Sequence, residues 1–225
     1  MASSEARRQK QLAKKKAKRE EKRSQLIRQS SDNPIIRLAA AASWPVMDAL
    51  VPDDLWKQGI GTLVLSRRCP DGRVAFAGYL VDTYCLGAKN AYWKIAPESE
   101  YRNHLQKVRR VSRMVSVAPE YFAKVVNDAV EYAKSFGFPP HQDYGHARML
   151  LEGIDASACS DTFEFGKDGK PFFINGPFDS EEKIKVIMQR VQQAGGNFLV
   201  GVGPPGALGI DADELGENEM EAQEH

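Results

Sequence analysis

The hydrophobic pattern is most regular between Gly59 and Asp82. GIGTLVLSRR (59–68) and RVAFAGYLVD (73–82) are two strand-like runs separated by CPDG (69–72), with Pro70 and Gly72 at turn-favouring positions. This pattern predicts a β-hairpin. The return run is apolar on both parities: Val74, Phe76 and Leu80 alternate with Ala75, Ala77, Tyr79 and Val81. A strand with this pattern is covered on both faces or is central in its sheet.

Helical spacing takes over further along. PEYFAKVVNDAVEYAKSF (119–136) places Phe122, Val125, Val126, Ala129, Ala133 and Phe136 along one stripe. Pro119 suits the first helical position, Gly137 a left-handed stop, and Pro139 forbids continuation. ESEYRNHLQKVRR (98–110) predicts an amphipathic helix that is basic toward its C-terminal end. A short helix is expected over 35–42, capped by Asn33, with Pro45 breaking it and only a turn carrying Met47 to Leu50. Asp143 is the expected cap of a helix over 144–152. A D-x-x-E box (Asp179, Glu182) is the expected start of one near 180–194. TFEFGKDGKPFFI (162–174) predicts a second hairpin, and NFLVGV (197–202) a last short strand. Hairpin, helices, hairpin, helix and strand in that order predict an α+β domain: an antiparallel sheet from two β-hairpins and a last strand, packed by helices.

Charge changes this picture at the two ends. Residues 1–28 hold eleven Lys/Arg against three Glu, and residues 211–225 hold seven Asp/Glu and no Lys/Arg, while the whole chain sums to only +1. The expected organisation is therefore a basic arm (1–32), one domain (33–203) and an acidic tail (204–225). The 42% hydrophobic content excludes global disorder. Three widely spaced cysteines, Cys69, Cys85 and Cys159, fit neither a disulfide framework nor a zinc ribbon. No apolar run follows the basic start, and LAAAASWPVM (38–47) is too short and too interrupted to span a bilayer. Together these features predict a cytoplasmic protein.

Two segments carry candidate chemistry. In YLVDTYCLGAKNAYW (79–93), Asp82 ends an apolar strand, with Cys85 and Lys89 within seven residues. A partly desolvated carboxylate beside a thiol and an amine is a candidate acid, nucleophile or ligand site. Asp at a strand end also commonly makes an Asx-turn, and Cys among apolar residues is commonly inert. PPHQDYGHAR (139–148) supplies His141, Asp143 and His146. The H-x-D-x-x-H spacing offers imidazoles and a carboxylate, but no fourth ligand has the spacing a tetrahedral site needs, so no metal is assigned. The catalytic candidates are Asp82, Cys85, Lys89, His141 and Asp143. No cofactor is named by the sequence.

The same two segments carry a resemblance. V-D-T-Y-C-L-G-A-K (81–89) after a hairpin, then F-G-F-P-P-H-Q-D-Y (136–144) and GIDASACSDTFEFGKDGKPFFINGPFDS (153–180), resemble a bacterial protein family that brings no established activity. Some members adjoin a Cys-rich zinc motif of SEC-C type, which is missing here, so the resemblance implies nothing about zinc. It implies a bacterial cytoplasmic protein with its recognisable residues in those segments.

The arm is the strongest functional signal. Lys14, Lys15, Lys16, Lys18, Arg19, Lys22 and Arg23 form a dense cationic run with few bulky apolar residues. Such a run seeks polyanions, RNA or the ribosome in a cytoplasm, in preference to a membrane surface. The expected function is a binding protein engaging RNA or a ribonucleoprotein. The alternative is a small hydrolase or nuclease-like enzyme using Asp82 and His141, with or without a metal. The acidic tail offers a protein partner a surface, or pairs with the arm.

Overall fold

The computed structural model describes residues 33–176 and 179–200. The arm's cations and the acidic tail lie outside the described residues. The body is α+β: a five-stranded antiparallel sheet packed by helices on both faces.

The chain enters through α1 (Pro34–Ala40), where the Asn33 side chain accepts the Ile35 amide. A 3-10 turn at Ala41–Ser43 leads into β1 (Val46–Pro52). Residues 47–50 thus form part of a strand, not the expected turn. Antiparallel pairing on both sides decides this, with β2 (Ile60–Arg68) on one and β5 (Met114–Ser116) on the other. A short helix, α2 (Leu55–Gln58), separates β1 from β2.

The predicted hairpin joins β2 to β3 (Val74–Asp82) in unbroken register from Ile60↔Asp82 to Arg68↔Val74. β4 (Gly87–Ala96), which the reading of the sequence left unassigned, pairs along the free edge of β3. The sheet order is β4-β3-β2-β1-β5. β3 is buried on both faces, as its pattern requires. Val74 and Phe76 meet Tyr101, Leu105 and Val108 of α3 (Glu98–Val111). Ala75, Ala77, Tyr79 and Val81 meet Phe122, Val126 and Ala129 of α4 (Pro119–Ser135). A fully buried aromatic or aliphatic side chain here contributes about 1.5–3 kcal/mol relative to exposure. α4 stops as predicted: Gly137 takes φ 79° and the amides of Gly137 and Phe138 return to Lys134 and Ala133.

Gly78 sits opposite Tyr92 on β4. A Cβ at 78 would fall inside the Tyr92 ring, whose hydroxyl lies 2.7 Å from Nε2 of His104 on α3.

Arg67 on β2 is 4% exposed and has no carboxylate partner among the described residues. Its Nε donates to Leu150 O (2.9 Å), Nη1 to Ala42 O (2.9 Å) and Trp44 O (2.6 Å), and Nη2 to Glu152 O (2.8 Å). One guanidinium thereby ties the segment after α1 and the segment around 148–152 to the sheet.

Beyond α4 come α5 (Tyr144–Ala147) and a 3-10 turn at Arg148–Leu151. Asp143 makes no capping bond there, because its backbone is already helical. The second hairpin forms only at its tip. Lys167 and Lys170 exchange backbone bonds around Asp168 (φ 55°) and Gly169 (φ 71°). The arms then part: Phe163 stacks on Trp56 at 5.1 Å, and Phe165 on Tyr132 at 5.3 Å. β6 (Phe172–Ile174) instead pairs in parallel with β7 (Asn197–Leu199), in a separate two-stranded sheet. α6 (Glu181–Gln193) connects them and packs Ile187 and Val191 against Cys85, Phe138 and Phe173. Its cap is Ser180, which accepts the Lys183 amide, not the expected Asp179.

Candidate functional site

The polar cluster after Asp82 is the β3–β4 turn, which lies between Asp82 and Gly87. Asp82 is 6% exposed. Its Oδ1 accepts the amides of Tyr84 (2.8 Å) and Cys85 (2.9 Å), which is the Asx-type turn a strand-end Asp commonly builds. Desolvation raises the Asp82 pKa, against the opposing effects of the Cys85 amide, the Lys89 charge and the Tyr84 and Leu86 amides.

Cys85 is fully buried in the cluster beneath α6. Desolvation first, then the Asp82 charge, pushes its thiol pKa well up, so the sulfur stays protonated. A thiol held this way is a poor nucleophile. Lys89 Nζ lies 3.2 Å from Asp179 Oδ2, with side chains 17% and 5% exposed. Asp179 also accepts the Gly176 amide (2.7 Å) and Lys183 Nζ (2.9 Å). This carboxylate, expected to cap a helix, instead fastens the start of α6 to β4.

His141 Nδ1 lies 3.4 Å from Asp143 Oδ2 on a half-exposed loop. The Asp143 amide donates to the same Nδ1 (3.3 Å), and the His141 amide donates to Ala88 O at the outer edge of β4 (2.9 Å). The structure therefore gathers Asp82, Cys85 and Lys89 around one turn and sets His141 with Asp143 on the flank of the neighbouring strand. Among the described residues no hydrogen bond or ion pair joins Asp82 to His141, and no group of three or more His, Cys, Asp or Glu is arranged to hold a metal.

Tyr132, on α4 beside this turn, carries a buried hydroxyl with no partner among the described residues. Its pKa is pushed up to about 12, chiefly by desolvation.

A second polar group escaped the reading of the sequence. Asp48 on β1 takes the Tyr101 hydroxyl (2.9 Å) and the Ser66 hydroxyl (3.3 Å) on Oδ2. It opens onto a 280 Å³ cavity shared with Met47, Arg102, Gln106 and Arg109. Asp48 lies in a stretch read as a turn, and Tyr101 reads as an ordinary core position of an amphipathic helix. No spacing in the sequence connects them.

Comparison with protein-family models, with curated proteins and with solved structures finds no match to this chain, so the resemblance carried by the two motifs gains no support from them. Among the described residues, no helix is long and apolar enough to cross a membrane.

Proposed function

We propose that this chain is a binding protein that engages RNA or a ribonucleoprotein through its basic arm, with the α+β body as the folded platform. The observation that carries this reading is the charge block: eleven Lys/Arg against three Glu in residues 1–28. Each cation placed on a phosphate releases a counterion, so such an arm binds polyanions tightly and with steep salt dependence.

The body supports the same reading indirectly. Asp82 is occupied by backbone amides, the Cys85 thiol is buried, and Lys89 is engaged by Asp179. Asp82, Cys85 and Lys89 are thus engaged in holding the β3–β4 turn and α6 in place, while His141 stands on the half-exposed loop beside β4.

Fluorescence anisotropy of a labelled single-stranded RNA, titrated with the full chain at several salt concentrations, tests the proposal. Replacing Lys14, Lys15, Lys16, Lys18, Arg19, Lys22 and Arg23 by Gln should make the slope of log K against log salt shallower by about 5 units, at roughly 0.7 per single-strand phosphate. A full chain that binds no RNA at low salt, or a variant with an unchanged slope, refutes it.

A further inference from the structure

The arm is not the chain's sole cationic feature. From Tyr101 to Ala118 the sequence has five Lys/Arg and no acid: Arg102, Lys107, Arg109, Arg110 and Arg113. All five are exposed, and all lie on α3 or just past its end. The apolar positions Tyr101, Leu105 and Val108 hold the helix to the sheet; Arg110 lies opposite them, Arg102 and Arg109 flank one side at the cavity that Asp48 lines, and Lys107 flanks the other. Arg102 pairs with Glu98 and Arg113 with Asp53. Lys107, Arg109 and Arg110 have no ion pair among the described residues. Cations in a last helical turn offset the negative end of the helix dipole. That accounts for Arg109 and Arg110 but not for Lys107 or Arg102 higher up.

α1, the first described element, is linked to the start of α3 by ion pairs at the two sides of the β2–β3 turn. Arg37 on α1 binds Asp71 in the β2–β3 turn at 2.6 Å, and Asp71 also holds Arg73. Arg68, at the other side of that turn, binds Glu98 at the start of α3 (3.2 Å) and reaches Met47 at the cavity mouth. The acids along this path, Asp71 and Glu98, are each held by two arginines. Asp48, beneath, shares one oxygen with Tyr101 and Ser66.

We infer that the exposed face of α3 is a second RNA contact, taking phosphates on Lys107, Arg109 and Arg110 from a strand that the arm engages. The inference rests on the RNA reading above and adds a surface on the folded body to it. A helix surface on which Lys107, Arg109 and Arg110 have no ion-pair partner among the described residues complements a polyanion and repels a basic peptide. Anionic lipid would meet the same charges, but the face exposes a single large apolar side chain, Val111, which is too little to anchor in a bilayer.

The test uses the full chain. K107Q/R109Q/R110Q keeps good helix formers at exposed positions, and circular dichroism with a melting curve confirms that it folds. A control, K57Q/K170Q/K185Q, removes the same charge elsewhere. With labelled single-stranded RNA, the first triple variant should weaken binding and make the salt slope shallower by about 2 units, while the control moves neither as far. If the arm variant loses binding and the α3 variant matches wild type, the arm reading stands and the α3 surface is overturned. Equal losses in the α3 variant and the control overturn it as well. A wild-type chain that fails to bind RNA overturns both readings. Binding to phosphatidylserine vesicles that the α3 variant loses, with RNA binding untouched, assigns the face to lipid and overturns the proposal.

Discussion

Arg67 offers the sharpest test of what holds this fold together. Its guanidinium is buried and is met by four backbone carbonyls instead of a carboxylate. Desolvation lowers its pKa, so the environment works against the charge it carries. Arg67→Met keeps the length and removes the charge, leaving the carbonyls of Ala42, Trp44, Leu150 and Glu152 without their donor. A hydrogen bond to a charged group contributes about 1.5–3 kcal/mol. Four do not add, because the cost of burying the guanidinium offsets part and opened segments rehydrate. Stranding buried carbonyls costs about 1–3 kcal/mol each before they rehydrate, so the net loss should be about 3–5 kcal/mol. For a domain of this size that lowers the melting temperature by about 6–20 °C. Arg67→Lys keeps the charge but gives up the planar fork that spans four acceptors, so its loss should fall between wild type and Arg67→Met. Urea denaturation and calorimetry measure both variants. If Arg67→Met unfolds within about 1 kcal/mol of wild type, the side chain is not the tie between the sheet and its two flanking segments, and that reasoning is wrong.

Asp82 allows two substitutions to be set against each other. Asp82→Asn retains an Oδ1 for the Tyr84 and Cys85 amides and removes a buried charge, so stability at pH 7 should equal or exceed wild type. Asp82→Ala strands both amides and should cost about 1–3 kcal/mol; a large loss in the Asn variant would show that the ionised form matters. His104 predicts a pH dependence. Its pKa is held below 6.5 by desolvation first, then by Lys107 and Lys94. The unfolded chain therefore takes up the proton first, so this contribution to stability is lost as pH falls from about 6.5 toward the folded value. Denaturation from pH 5 to 7.5 should show His104→Gln removing that slope. An unchanged slope in the variant would place its origin elsewhere.

What the sequence revealed follows from how local each element's cause is. The β2–β3 hairpin was legible because alternation and a Pro-Asp-Gly turn act within two dozen residues. α4 was legible because its stripe, first-turn proline and terminal glycine agree. β1 was not, since Met47–Leu50 become a strand only by pairing with β2, with β5 joining from Leu50 onward. β4 does alternate: Ala91, Trp93 and Ile95 face one core, with Tyr92 toward the other. Its start, however, is masked by the polar turn that precedes it. The second hairpin does not extend beyond its tip: Phe163 and Phe165 pack against the rings of Trp56, Tyr121 and Tyr132 instead of entering a strand pair. At the candidate site, Asp82, Cys85 and Lys89 stand around one turn because they are close in sequence. The use of Asp179 as the Lys89 partner, ninety positions away, is a tertiary fact with no local mark.

The ring of Tyr92 lies in the space that Gly78 leaves open, with His104 at its hydroxyl. These three positions therefore cannot drift independently over descent. A lineage that gains a side chain at 78 must first shed the aromatic at 92, and the histidine then has no phenol to answer to. Covariation among 78, 92 and 104 in diverged chains would be the trace this packing leaves in evolutionary time.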